Sequence, residues 1–277
     1  QFDGVHIGHR EVIRGSDTVL TFDPHPLSVI HPEAMPKLLT TTELKAELLA
    51  DLGVEEMVVI PFDREFASVS AQDFIDEVLV ERLGAVRVSV GENFRFGHRA
   101  SGDVALLREQ DAFETRVASL IEVEGEIVSS SHIRGLLAAG DVEHATPFLG
   151  SPFRLRRPVV TGDRRGRELG YPTANLVPDD AYVVPGHGVY ACRAGDHCAA
   201  VNVGVRPTFE TGRGLLVEAY LLDWEGDLYG QELTVEFLTR LRGERRFESA
   251  DALVEAMRKD EQHAREACQR FATVPRR

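Results

Sequence analysis

Short apolar runs alternate with amphipathic segments through the first half of the chain. Val19-Leu20-Thr21-Phe22 is β-branched and apolar, and it stops at Asp23-Pro24-His25-Pro26. Leu44, Leu48 and Leu52 recur every four residues and share one helical face. Thr42 is expected to cap that helix over residues 43–52, and Gly53 to end it. Residues 57–60 read as a nearly continuous apolar strand. Ser70, with Asp73 three residues on, opens a second helix whose buried stripe is Phe74, Val78 and Leu79; Gly84 closes it. Residues 86–90 supply a further strand. Strands alternating with helices predict βαβ units and a mostly parallel sheet.

The pattern changes at residues 147–152. Beyond them come short β-like runs at 156–160, 189–193, 199–203, 215–222 and 233–237, separated by Gly, Pro and Asp. Closely spaced strands with turn signals predict a small antiparallel barrel. A last helix carries Leu253, Met257, Ala264, Ala267 and Phe271 on its expected inner face. The fold class is therefore an α/β domain over residues 1–148, followed by a small antiparallel β-barrel domain with a C-terminal helix over residues 153–277. The opening Gln1-Phe2-Asp3-Gly4 is a turn that a strand should precede, and the connection at Gly15-Ser16 is short. Segments outside this sequence are expected at the N-terminus and in at least one loop.

Composition narrows the function. The 277 residues hold 31 Lys+Arg against 45 Asp+Glu, a net charge of −14. Nucleic-acid phosphates require concentrated cations, so a general nucleic-acid binder is a poor fit. No apolar stretch approaches the ~18 residues of a membrane helix. The 3 cysteines, Cys192, Cys198 and Cys268, are odd in number and include no C-x-x-C pair. A disulfide is therefore not expected, and a cytoplasmic setting is.

The first chemical motif is His6-Ile7-Gly8-His9. Two histidines three apart share a face at a helix start, where free N–H groups favour an anion and Gly8 admits a ligand close to the backbone. Taken alone, the motif equally describes a loop with two incidental histidines. Two further segments accompany it. Gly91-Glu92-Asn93-Phe94-Arg95-Phe96-Gly97 follows a strand, where ligands bind in open α/β sheets. Ser129-Ser130-Ser131-His132-Ile133-Arg134 places hydroxyls at a helix start with an arginine one turn in; the serines alone would pass as plain caps.

In the second half, residues 162–176 combine glycines, arginines and Tyr171-Pro172-Thr173-Ala174-Asn175, which suits a phosphate-wrapping loop. Thr173 and Asn175 alternate onto one face and offer hard oxygens to Mg²⁺; a basic turn with a polar exit is the plainer alternative. Glu218 lies within the apolar run 215–222. Alternation puts Leu216, Glu218 and Tyr220 on one face and Val217, Ala219 and Leu221 on the other. Glu218 is either a solvent-facing carboxylate or a general base.

The first three segments resemble the H-x-G-H nucleotidyltransferases. The second-half segments resemble the riboflavin kinase family, through Gly-Arg-Glu-Leu-Gly-Tyr-Pro-Thr-Ala-Asn, Asn202-Val203-Gly204-Val205-Arg206-Pro207-Thr208-Phe209, Val217-Glu218-Ala219-Tyr220 and Leu241-Arg242-Gly243-Glu244-Arg245-Arg246-Phe247. Joined, they resemble the bacterial bifunctional riboflavin kinase/FMN adenylyltransferases, or FAD synthetases, over nearly the whole chain. The resemblance implies a Rossmann-like nucleotidyltransferase domain and a kinase barrel. It implies phosphorylation of riboflavin by ATP to FMN, then adenylylation of FMN to FAD with release of pyrophosphate. Glu218 would then be the kinase base. Gly162, Arg165 and Gly166 would wrap ATP phosphates, with Thr173 and Asn175 holding those phosphates and Mg²⁺. His6, His9, Asn93, Ser130, Ser131 and Arg134 would hold the second ATP. Pro24, Pro26, Phe96 and Arg242 would touch flavin. Riboflavin, FMN and ATP are the implied partners; no nucleic acid or membrane is implied, and self-association stays open. The alternatives are one retained activity, or a non-catalytic regulator binding flavin or nucleic acid. The span between Asn175 and Glu218 is short for the family.

Overall fold

The structure is a computed structural model, and it describes residues 1–160, 173–208 and 212–272. Contacts divide the chain into two compact units: Gln1–Pro36 with Thr41–Ser129, and Lys37–Thr40 with the chain from Ser130 onward. The division by packing thus falls before the compositional change at 147–152.

The first unit opens with helix α1 (Ile7–Ile13), strand β1 (Thr18–Asp23) and the short helix α2 (Pro26–Ile30). Helix α3 (Thr42–Ala50) then leads to β2 (Glu56–Pro61), which pairs parallel with β1. Helix α4 (Ala71–Asp73) continues as a π-helix over Phe74–Arg82. Strand β3 (Arg87–Gly91), helix α5 (Val104–Arg108) and strand β4 (Glu114–Ala118) follow, with β3 and β4 again parallel. A small hairpin, β5 (Glu122–Val123) and β6 (Glu126–Ile127), turns through Glu124 and Gly125, both with positive φ. The helical connections between paired strands give the parallel arrangement that the alternating pattern predicts.

Two apolar clusters fill this unit. Val5, Ile13, Val19, Leu49 and Val54 form one. Phe74, Ile75, Val78, Leu79, Val90, Phe96 and Phe113 belong to the other, so the predicted stripe of the second helix is buried. Ser70 caps that helix by accepting the Asp73 N–H at 3.0 Å. The cap of α3 differs from expectation by one residue. Thr41 has the extended backbone a cap needs and accepts the Leu44 N–H at 3.2 Å, so the helix begins at Thr42. Three successive threonines leave the sequence unable to choose among them.

The second unit begins with α6 (Ser130–Ala139) and α7 (Val142–Leu149), the latter capped by Asp141 and ended by Gly150 at φ +76°. Six strands then close into a barrel: β7 (Phe153–Val160), β8 (Ala174–Leu176), β9 (Gly188–Ala194), β10 (His197–Thr208), β11 (Gly212–Leu221) and β12 (Glu232–Arg242). Their order around the barrel is β10-β11-β8-β7-β12-β9, antiparallel throughout. Inward positions alternate with outward ones. Leu155, Val159, Leu176, Val201, Val203, Val217, Ala219, Val235 and Phe237 are all buried.

Helix α8 (Ala250–Ala272) packs on β9, β10 and β12. Its buried line is Ala256, Asp260, Ala264 and Ala267, while Leu253, Met257 and Phe271 are half-buried. This rotates the expected face. Small alanines let the helix lie close on Ala191 and Leu222, and larger side chains flank the contact. The cysteine expectation is also corrected: Cys198 on β10 and Cys268 on α8 form a disulfide, with Cα atoms 6.1 Å apart. Cys192 is the odd one, buried and free; burial pushes its thiol well above the usual range. Sequence separation hid the pairing, because only the docking of α8 brings the two residues together.

Candidate active sites

In the first unit the turn Phe2-Asp3-Gly4-Val5 closes with a Val5 N–H to Phe2 carbonyl bond of 3.1 Å and delivers the chain into α1. His6 is the cap of α1; its Nδ1 accepts the His9 N–H at 3.2 Å. An accepting Nδ1 carries no proton itself, and the His6 side chain is buried. The two imidazoles stack, with centroids 3.5 Å apart and planes 15° from parallel. A side-chain carbon on Gly8 would meet the His6 ring at 3.3 Å, so glycine keeps that ring tight on the helix start. Burial, then the neighbouring charges of His6 and Lys45 among others, holds His9 well below its ordinary value and therefore neutral. His9 Nδ1 is buried, with no hydrogen-bond partner among the described residues.

Beneath the turn lies a polar cluster that sequence reasoning passed over. Asp3, Thr21 and Lys45 are buried, and Lys45 Nζ lies 3.4 Å from Thr21 Oγ1. Burial lowers the Lys45 ammonium, while Asp3 and Asp23 oppose the shift. The only signal in the sequence was a lysine one residue after Leu44, on the apolar side of its helix.

Asn93 is exposed just beyond the end of β3. Phe96 is buried, 5.6 Å from Phe74 and stacked at 5.4 Å on Phe94, which is itself half-buried. Pro24 is exposed and Pro26 starts α2, whose cap is the His25 side chain. In the second unit, Ser130 and Ser131 open α6, and Arg134 Nε donates to the Lys37 carbonyl at 2.7 Å.

The barrel assembles its residues by strand register. Asn175 on β8 is the cross-strand partner of Glu218 on β11, and Glu218 is the partner of Asn202 on β10. All three point away from the packed interior, because their neighbours Ala174, Leu176, Val217, Ala219, Val201 and Val203 point in. Asn175 is nevertheless buried, and Thr173 stands immediately before β8. Asn202 joins this row through strand register alone. Gly162, Arg165 and Gly166 lie outside the described residues.

The same outer face is overhung by the segment after β12. A side-chain carbon on Gly204 would land on Glu244 Oε1 and lie 3.4 Å from Asn202 Nδ2. Glu244 in turn lies 3.4 Å from His187 Nδ1. Arg242 turns to α8: Nε donates to Asp260 Oδ1 at 3.0 Å and Oδ2 at 3.1 Å, Nη2 to Oδ2 at 2.7 Å, and Nη1 to the Gly243 carbonyl at 3.2 Å.

Two halves with separate polar centres are matched by two family models. The model described as FAD synthetase matches residues 1–132, and riboflavin kinase matches residues 149–268. The chain belongs to the bifunctional riboflavin kinase/FMN adenylyltransferase family. A relative of that name from Listeria monocytogenes is 34% identical over 281 residues, covering 95% of this chain and 89% of its own. One from Escherichia coli K12 is 37% identical over 283 residues, covering 96% and 90%. A solved structure titled as a macrolide-efflux protein from Streptococcus pneumoniae matches with a TM-score of 0.85 at 31% identity, over 95% of this chain and 91% of that one. Among the described residues no helix is long and apolar enough to cross a membrane. Family membership makes the chain an enzyme of flavin cofactor biosynthesis, with one nucleotidyltransferase and one kinase domain.

Proposed function

We propose that the barrel phosphorylates riboflavin to FMN and that the α1 start adenylylates FMN to FAD, with ATP as the second substrate in each step. The register-aligned row Asn175–Glu218–Asn202 carries the kinase assignment. Glu218 accepts the proton of the ribityl hydroxyl as that oxygen attacks the γ-phosphorus and ADP leaves. Thr173 and Asn175 supply neutral oxygens to the nucleotide side. Those donors suit Mg²⁺, which keeps waters and binds phosphates with few protein ligands. Among the described residues no group of three or more His, Cys, Asp or Glu competes for a metal. When bound, Mg²⁺ offsets phosphate charge; positioning and proton acceptance belong to the chain.

At α1 an FMN phosphate oxygen, already ionised, attacks the α-phosphorus of ATP and pyrophosphate leaves. No general base is required. The His6 imidazole and the amides of the helix start stabilise phosphate charge. Asn93 completes the nucleotide grip within this unit in this reading, with Pro24, Pro26 and the Phe94–Phe96 stack toward flavin. A cytoplasmic setting follows from the need for ATP, and the Cys198–Cys268 disulfide is the feature that fits it least. Incubation with riboflavin, ATP and Mg²⁺ followed by separation of flavins tests the reading. FMN followed by FAD supports it; FMN alone leaves one activity, and no turnover of either substrate contradicts both assignments.

A further inference from the structure

We propose that Arg116 is a positioning residue for FMN adenylylation, holding the last turn of α1 and thereby the His6–His9 start of the same helix. The inference rests on reading that helix start as the adenylylation site. Helix α1 has only 7 residues, far below the ~12–15 at which an isolated helix becomes even marginally stable in water. Its terminal carbonyls need outside donors. Arg116, on β4, supplies them. Nη1 reaches the carbonyls of Glu11 at 2.9 Å, Val12 at 3.3 Å and Arg14 at 3.3 Å, and Nη2 meets Glu11 Oε1 at 2.7 Å. Ser89 is the register partner of Arg116 on β3. It donates to the Val12 carbonyl at 2.6 Å and receives Nη1 at 3.2 Å.

One guanidinium and one hydroxyl from adjacent strands thus grip a single helical turn. A cation at a helix C-terminus also opposes the helix dipole. Seven residues span only about 10 Å, so a tilt at the gripped end moves the histidine end by a similar amount. In the proposed reading the helix start holds ATP phosphates in the bound state as well as in the transition state, so its displacement weakens ATP binding along with rate.

The test measures both reactions of the full chain in Arg116→Met, Arg116→Lys and Arg116→Ala, the last with and without added guanidinium. The expected result for Arg116→Met is a rise of about tenfold or more in the ATP KM of FMN adenylylation. Riboflavin phosphorylation, run by the other unit, should stay unchanged. Arg116→Lys should recover part of the loss, and guanidinium should lower the KM of Arg116→Ala. An unchanged adenylylation KM overturns the inference, including the case where kcat falls in proportion to folded protein. If Arg116→Met fails to fold, the guanidinium titration of Arg116→Ala decides in its place. His6→Ala is run beside these variants. If it keeps full FAD formation, the site reading fails; if it loses FAD formation while Arg116→Met keeps its KM, only the role of Arg116 fails.

Discussion

Desolvation sets the charge of the second histidine of the H-x-G-H motif. His9 is held well below 6.5 by desolvation first and by nearby cationic charge second. Between its folded value and 6.5, the unfolded chain binds a proton that the folded chain does not. Stability is therefore complete above about pH 6.5 and falls as pH drops below it. His9→Gln should flatten the decline in denaturant midpoint between about pH 6.5 and pH 5; an unchanged slope would assign the effect elsewhere. In the proposed reading Glu218 acts on rate and not on folding. Glu218→Gln should lower riboflavin phosphorylation by about 10²–10⁴-fold with an unchanged unfolding midpoint, read from FMN formation and thermal melts. Strand alternation alone puts Glu218 on the side opposite the buried Val217 and Ala219. The same rule could not supply Asn175 and Asn202 as its partners, because cross-strand register is a property of pairs of strands.

At the scale of elements, the barrel strands were legible because one face of each is apolar and turn residues punctuate them. Their lengths were not: β12 runs to Arg242 although its apolar core ends near Leu238. Hydrogen bonding continues where side-chain pattern stops. The inner face of α8 was legible in period but not in centre. Asp260 falls on the 3–4 spacing between Ala256 and Ala264, and a carboxylate there was passed over because a buried charge requires a partner that only the fold reveals. That partner is Arg242, with 9% of the Asp260 side chain and 22% of the Arg242 side chain exposed. Removing one member leaves a mostly buried charge unpaired. Asp260→Ala should destabilise the second unit by about 3 kcal/mol, near the low end for buried pairs because Arg242 keeps some water. Urea unfolding followed through that unit measures it, and a change under about 0.5 kcal/mol, the scale of ordinary surface substitutions, would mean the pair contributes nothing. The Cys198–Cys268 bond and the Arg116 clamp on α1 share this kind of invisibility, since each joins residues 70 or more apart in sequence.

For the whole molecule, two units with separate polar centres imply that the two chemistries can be broken one at a time. The compositional change at 147–152 and the packing division at Ser130 differ by about twenty residues. The difference arises because α6 and α7 read as part of an α/β series, yet α7 packs on β7 and β12. The net charge of −14 fits the same picture, with anionic substrates met by local devices instead of a basic surface. In the proposed reading Glu218 serves one reaction and the α1 histidines the other. This division is tested most directly by mixing the full-length Glu218→Gln and His6→Ala variants with riboflavin, ATP and Mg²⁺, and separating the flavins over time. Each variant alone should make little or no FAD from riboflavin. Given FMN, Glu218→Gln should make FAD; given riboflavin, His6→Ala should stop at FMN. The mixture should restore FAD, because FMN released by one protein is the substrate of the other. If either variant loses both reactions while folded, or if the mixture makes no more FAD than the variants apart, the two-site account is contradicted.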